Sequence, residues 1–154
     1  MTNFRLLTQD ERDNVWDKFY DLYHFKPSIN HFPAISTNQP QLKFDITNCF
    51  SEDFPLDKLE EYALNLFNSV SKPNDRLYAL DWQHDCFDFD PRAQMDRDEF
   101  DEWIVPVLPN GDYYIFLTKD FTNVWFGHPW ERTITLIGED FIKQTKKLKA
   151  NFLN

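Results

Sequence analysis

The stretch that most constrains this fold is Tyr113-Tyr114-Ile115-Phe116-Leu117-Thr118. It is apolar on both faces, the pattern of a strand buried on both sides. Directly before it stands Asn110-Gly111, the strongest two-residue hairpin signal in the chain. After it comes Trp125-Phe126-Gly127-His128-Pro129-Trp130-Glu131, which reads as a second strand running into a dense polar-aromatic corner. A strand with no wet face belongs in the middle of a sheet. The rest of the chain must supply its neighbours and its cover.

The flanking segments do so. Residues 41–46 alternate, with Leu42, Phe44 and Ile46 on one side. Residues 77–82 form another strand. Residues 86–90 alternate again, placing Phe87 and Phe89 inward and Asp88 and Asp90 outward. Residues 103–108 read as a strand carrying Pro106, which must be an edge or contain a bulge because proline cannot donate to a ladder. Residues 133–137 complete the sheet, and Gly138 ends it.

Three helices are expected. The first covers residues 8–23, with Thr8 as N-cap and Glu11 completing a capping box. Val15, Phe19 and Leu22 share one face, and Lys26-Pro27 lies just past the helix end. The second covers residues 51–70, capped by Ser51 or Asp53. Its stripe is Leu56, Leu59, Ala63, Leu66, Phe67 and Val70, with Glu60 and Glu61 turned away. The third covers residues 139–152, with acids first and lysines last, an order that suits the helix dipole. Residues 27–40 hold three prolines and read as a wrapping connection. The 154 residues fit one α+β domain, a mainly antiparallel sheet with helices packed on it.

Three constellations hold the polar chemistry: residues 78–86, residues 110–114 and residues 127–131. Their wording resembles an uncharacterised bacterial family, domain-of-unknown-function family 2716. The shared segments are Leu80-Asp81-Trp82-Gln83-His84 followed by Cys86, Phe89-Asp90-Pro91, Pro109 to Leu117, and Phe126 to Glu131. The first helix, with Trp16 and Phe19, is also similar. The resemblance implies no activity and carries over no catalytic residue.

On the residues themselves, Asp81, His84, Asp112, His128 and Glu131 are the candidate catalytic set. Imidazole beside carboxylate suits acid–base work or a divalent ion. For His128 and Glu131 the competing reading is structural: hydrogen bonds to the backbone of a Pro129 corner. Cys86 near His84 suggests a nucleophile, but no oxyanion turn accompanies it, and a buried, inert thiol is the expectation. Cys49 and Cys86 fit no zinc or redox spacing and are expected to be reduced and unlinked. Phosphate-loop, dinucleotide, HExxH and GxSxG motifs are missing, so no cofactor or metal is expected from linear spacing. Trp82 and Trp130 are the candidate ring-stacking residues.

Charge points elsewhere. The net charge is −10, and residues 75–102 contribute −7 of it, with ten acids against three arginines. That disfavours nucleic acid and favours a basic protein partner, bound through Asp88, Asp90, Asp96, Asp98 and Glu99. Small acidic inhibitors of nuclease toxins are one analogous class. With no membrane-length apolar run and no signal-peptide core, a cytoplasmic location is expected. The function read from sequence is therefore a small acidic, immunity-like interaction module. The alternative is an enzyme or ligand-binding protein with its site at one end of the sheet.

Overall fold

The structure is a computed structural model that describes residues 3–148. In chain order its elements are β1 (Phe4–Leu6), α1 (Gln9–Tyr23), β2 (Gln41–Asp45), a 3₁₀ turn (Thr47–Phe50), α2 (Leu56–Ser69), β3 (Leu77–Asp81), β4 (Phe87–Phe89), β5 (Tyr114–Thr118), β6 (Val124–His128), β7 (Thr133–Ile137) and α3 (Glu139–Lys147). The strands form one antiparallel sheet in the order β1-β4-β3-β5-β6-β7-β2. β5 is the middle strand of seven, as its two-faced apolarity requires. None of the described helices is long and apolar enough to cross a membrane.

Two hydrophobic clusters sandwich the sheet. Tyr114 and Phe116 of β5 face the first, with Trp125, Leu136, the α2 stripe and Phe141 of α3. Ile115 and Leu117 face the second, with Val124, Phe126, α1 and the 24–40 connection. Phe116 is fully buried, and its ring lies 5.1 Å from Phe67 and 5.4 Å from Phe89. Removing a ring in such a setting costs roughly 3–5 kcal/mol.

α1 carries the expected capping box, with the Glu11 amide donating to the Thr8 hydroxyl and the Thr8 amide to the Glu11 carboxylate. Its buried stripe is Val15, Phe19 and Tyr23, spaced four apart; Leu22 is exposed at 45%. Tyr23 wins the inward place because its hydroxyl reaches the Phe121 carbonyl across the second cluster. α2 begins later than expected, at Leu56. Neither Ser51 nor Asp53 caps it, Pro55 occupies the cap position, and a 3₁₀ turn takes up residues 47–50. α3 runs to Lys147; its expected extension through Lys149 to Phe152 lies outside the described residues.

Residues 103–108 are not a strand. Trp103, Val105 and Val107 do alternate into the first cluster, but the segment joins the described ladder pattern only through an isolated bridge between Arg97 and Trp103. Pro106 and Pro109 remove the donors that a ladder would need. Consequently Asn110-Gly111 turns the chain without closing a hairpin, although Gly111 does take the positive φ (84°) that favours glycine. β1 had no signal in the sequence; it adds to β4 through Phe4↔Phe89 and Leu6↔Phe87.

Asp88 departs most from expectation. It is buried, not outward-facing, because the second cluster covers that side of the sheet. Arg5, Arg76 and Lys119 converge on its carboxylate, Lys119 at 2.9 Å and Arg5 at 3.1 Å. Burial pushes the carboxyl up, but the hydrogen bonds from Arg76, Lys119 and Arg5 outweigh it, and the group ends below its ordinary range. Asp88 is therefore a staple joining β1, β4 and the β5–β6 connection. Asp88→Asn is expected to destabilise the chain by about 1–3 kcal/mol, read by urea melts at pH 7, because three cations lose their shared anion. A melt within error of wild type would contradict the staple.

Candidate active site

β3 and β5 pair in a register that sets Asp81 opposite Tyr114. Asp112 precedes Tyr114 by two residues, so the end of this ladder brings two carboxylates together. Asp81 is 7% exposed and Asp112 3% exposed. The backbone N–H of Gln83 donates to both, at 3.1 Å each, while the Tyr113 N–H donates to Asp112 at 2.7 Å. Above them His84 leaves the strand end with its side chain 71% exposed. Its Nδ1 lies 3.1 Å from each Asp81 oxygen and 3.5 Å from Asp112 Oδ2.

The electrostatics follow from this geometry. Burial raises the Asp112 carboxyl most, and a hydrogen bond and the charge of Asp81 add to it; the Tyr113 and Gln83 amides pull the other way. The result is about 7, so the Asp112 carboxyl keeps its proton until close to neutrality. His84 is raised by its hydrogen bond to Asp81, then by the charges of Asp81 and Asp112. One oxygen or nitrogen from each of the three residues falls within 4.8 Å of the others, a spacing that suits a metal ion.

The other two members of the expected set stand apart. His128 and Glu131 flank the turn that follows β6. The Glu131 N–H donates to His128 Nδ1 at 3.1 Å, which is the structural corner anticipated for them. Glu131 also accepts from Thr133 at 2.9 Å and pairs with Lys43 at 2.9 Å. His128 is wholly buried and held down to about 4, mainly by burial, and its Nε2 has no partner among the described residues. Between the two groups stands Tyr113, whose ring lies 4.9 Å from His128, 5.2 Å from Trp130 and 5.6 Å from Trp82. Its hydroxyl donates to the Ser28 carbonyl and accepts from the Ser28 amide, tying down the 24–40 connection. Trp82 and Trp130 are half-buried around it, while Trp103 and Trp125 are core. Sequence reasoning missed Tyr113 as the divider; its place just after Asp112 was the available signal.

Cys86 and Cys49 are buried and not disulfide-bonded, and burial pushes both thiols up, away from nucleophilic character. The proposed acidic face is thinner than its composition suggests. Asp88 is neutralised, Asp90 pairs with Arg76 at 3.4 Å, and Asp96 accepts from the Asn3 and Phe4 amides. Asp98 accepts from the Phe100 and Glu102 amides, shaping its own loop. Glu99 remains exposed.

The family model described as "Protein of unknown function (DUF2716)" matches residues 6–142. The chain belongs to this family. The match spans every strand except part of β1 and includes both halves of the carboxylate pair. A relative in Bacillus subtilis (strain 168), named uncharacterized protein YxiI, is 38% identical over 150 residues, which cover 93% of this chain and 92% of the relative. No solved structure matches the chain. Membership of the DUF2716 family brings no activity with it, so the chemistry has to be argued from the site.

The raised carboxyl of Asp112 has a measurable consequence. From its ordinary value of 3.8 up to about 7 the folded state holds a proton that the unfolded state has released, so this group's contribution to stability falls as pH rises. His128 acts oppositely: between about 4 and 6.5 the unfolded state binds a proton that the folded state refuses, and stability rises with pH. Asp112→Asn, which mimics the protonated form, removes only the first effect. Its stability relative to wild type is expected to improve between pH 4.5 and pH 8, on top of a constant offset for one lost acceptor. Urea melts at the two pH values check this; an unchanged difference would show that Asp112 ionises normally.

Proposed function

We propose that the chain binds a divalent cation through Asp81, His84 and Asp112 and presents it to solvent. The observation that carries this reading is the pair of buried carboxyls sharing one N–H directly beneath an exposed imidazole. Two buried carboxylates in contact resist joint ionisation, and a cation between them removes that conflict. Imidazole and carboxylate together suit zinc, manganese or ferrous iron. Three protein ligands leave a coordination position open, the pattern of ions that bind or activate a further ligand. The reading departs from the expectation of no metal, which rested on linear spacing alone.

Titration calorimetry of the chelator-treated protein with Zn²⁺ and Mn²⁺ tests it. One ion per chain is expected, with release of protons and with affinity rising from pH 6 to pH 8, because the protons on Asp112 and His84 must leave. Asp112→Asn and His84→Ala are each expected to weaken binding by about tenfold or more, and bound metal to raise the melting temperature of the wild type alone. Absence of binding by either ion at millimolar concentration, or equal binding by both variants, would reject the site.

A basic protein partner, the first reading from sequence, is kept as the second, and a narrower surface favours it. The Asp98–Glu102 and Arg97–Trp103 contacts hold a tight loop that presents Phe100, 74% exposed, between Glu99 and Asp101. A preorganised aromatic ringed by acids is the form of an interaction hot spot.

A further inference from the structure

We infer that the outer edge of β2 is a self-association surface, where a second copy of this chain adds its own β2 antiparallel across a two-fold axis at Phe44. The sheet ends in β1 on one side and β2 on the other, and the two edges are finished differently. On β1 the Asn3 carbonyl accepts the Asp90 N–H, and the Leu7 N–H donates to the Cys86 carbonyl. Alternation then turns the Phe4 N–H outward, where the Asp96 carboxylate accepts it at 3.3 Å. That edge is short and capped.

β2 is longer and open. It pairs with β7 without a bulge, from Gln41↔Ile137 to Asp45↔Thr133. Just beyond its two ends the Pro40 carbonyl accepts the Gly138 N–H, and the Ile46 N–H donates to the Arg132 carbonyl. The even-numbered residues therefore turn their backbone groups toward β7, and Gln41, Lys43 and Asp45 turn theirs outward. All three are exposed, and among the described residues no acceptor takes their N–H groups. An unpaired edge is a template for another strand unless something blunts it, often a lysine. Here the lysine is already engaged: Glu131 holds Lys43 at 2.9 Å.

The charge pattern of the edge selects the occupant. A two-fold pairing must match outward residues to outward residues, so its axis falls on a residue and not between two. An axis on Lys43 sets two lysines face to face, and one on Asp45 sets two aspartates; both are unfavourable. An axis on Leu42 leaves Asp45 without a charged partner. An axis on Phe44 sets Lys43 of each copy opposite Asp45 of the other. Those two pairs exchange the backbone hydrogen bonds, and the Phe44 residues meet on the axis as the close pair, with Cα atoms about 4.5 Å apart. Phe44 is half-buried at the margin of the first cluster, so this contact covers it. A strand of unrelated sequence would match the backbone but not the reciprocal charges. The contact is small, which sets a Kd on the order of 10–100 µM.

Sedimentation of the whole chain at about 150 mM salt, with chelator present so that no ion links two copies, tests this. The average mass is expected to rise toward that of a dimer between about 5 and 500 µM. Amide exchange followed by NMR locates the contact. The Leu42 and Phe44 amides are expected to be protected at every concentration, and those of Lys43 and Asp45 only as the protein is concentrated. Lys43→Glu and Asp45→Lys each set like charges opposite one another and are expected to weaken the dimer about tenfold or more. The double variant restores opposite charges and is expected to return to within about threefold of wild type. A monomer at every concentration, a dimer whose Lys43 and Asp45 amides stay unprotected, or a double variant as weak as the single ones would each overturn the inference.

Discussion

β5 meets water on neither face, and the rest of the molecule is arranged around that constraint. A strand sealed on both sides must place its polar neighbours at its ends. Here the β3–β5 register delivers Asp81 and Asp112 to the same end, and the Gln83 amide ties them together. The carboxylate contact follows from the pairing of the two strands. Slipping the register by one residue would turn Ala79 and Phe116 to the wrong faces, so the core holds the site in place.

The polar groups that do enter the sandwich are matched in distinct ways. Asp88 is compensated by three cations drawn from β1, from the residue before β3 and from the β5–β6 connection. His128 is kept neutral mainly by burial, and its Nδ1 accepts the Glu131 N–H. Asp81 and Asp112 lack a dedicated cation: backbone amides hold both, but the two carboxyls face each other beneath one exposed imidazole. That difference separates a structural staple from a site with chemistry to offer.

Much of this was legible in the sequence. The centrality of 113–118, the Thr8–Glu11 capping box, the α2 stripe and the His128 corner all rest on local patterns, which a linear reading captures. Asp81, His84 and Asp112 were singled out with His128 and Glu131 as groups that could converge at one end of the sheet, and the structure brings only the first three together. What was lost depends on contacts distant in sequence. Asp88 alternates like a surface residue, and only the cover from α1 and the arrival of Arg5 and Lys119 reverse its meaning. Glu60 sits on the polar side of its helix until the 97–103 loop folds over it. Residues 103–108 keep the alternation of a strand but, with Pro106 inside and Pro109 just after, lack its donors. The net charge overstates the uncommitted acidic surface for the same reason: carboxylates already committed to arginines and amides still count in the sum.

The central claim is that Asp112, buried against Asp81, keeps its carboxyl protonated until close to neutral pH. A carbon-13 NMR titration of the side-chain carboxyls in metal-free protein measures it directly. The account predicts an apparent value near 7 at the Asp112 carboxyl, and a His84 raised above its ordinary value. An Asp112 carboxyl that titrates at or below the ordinary aspartate value of 3.8 would contradict it.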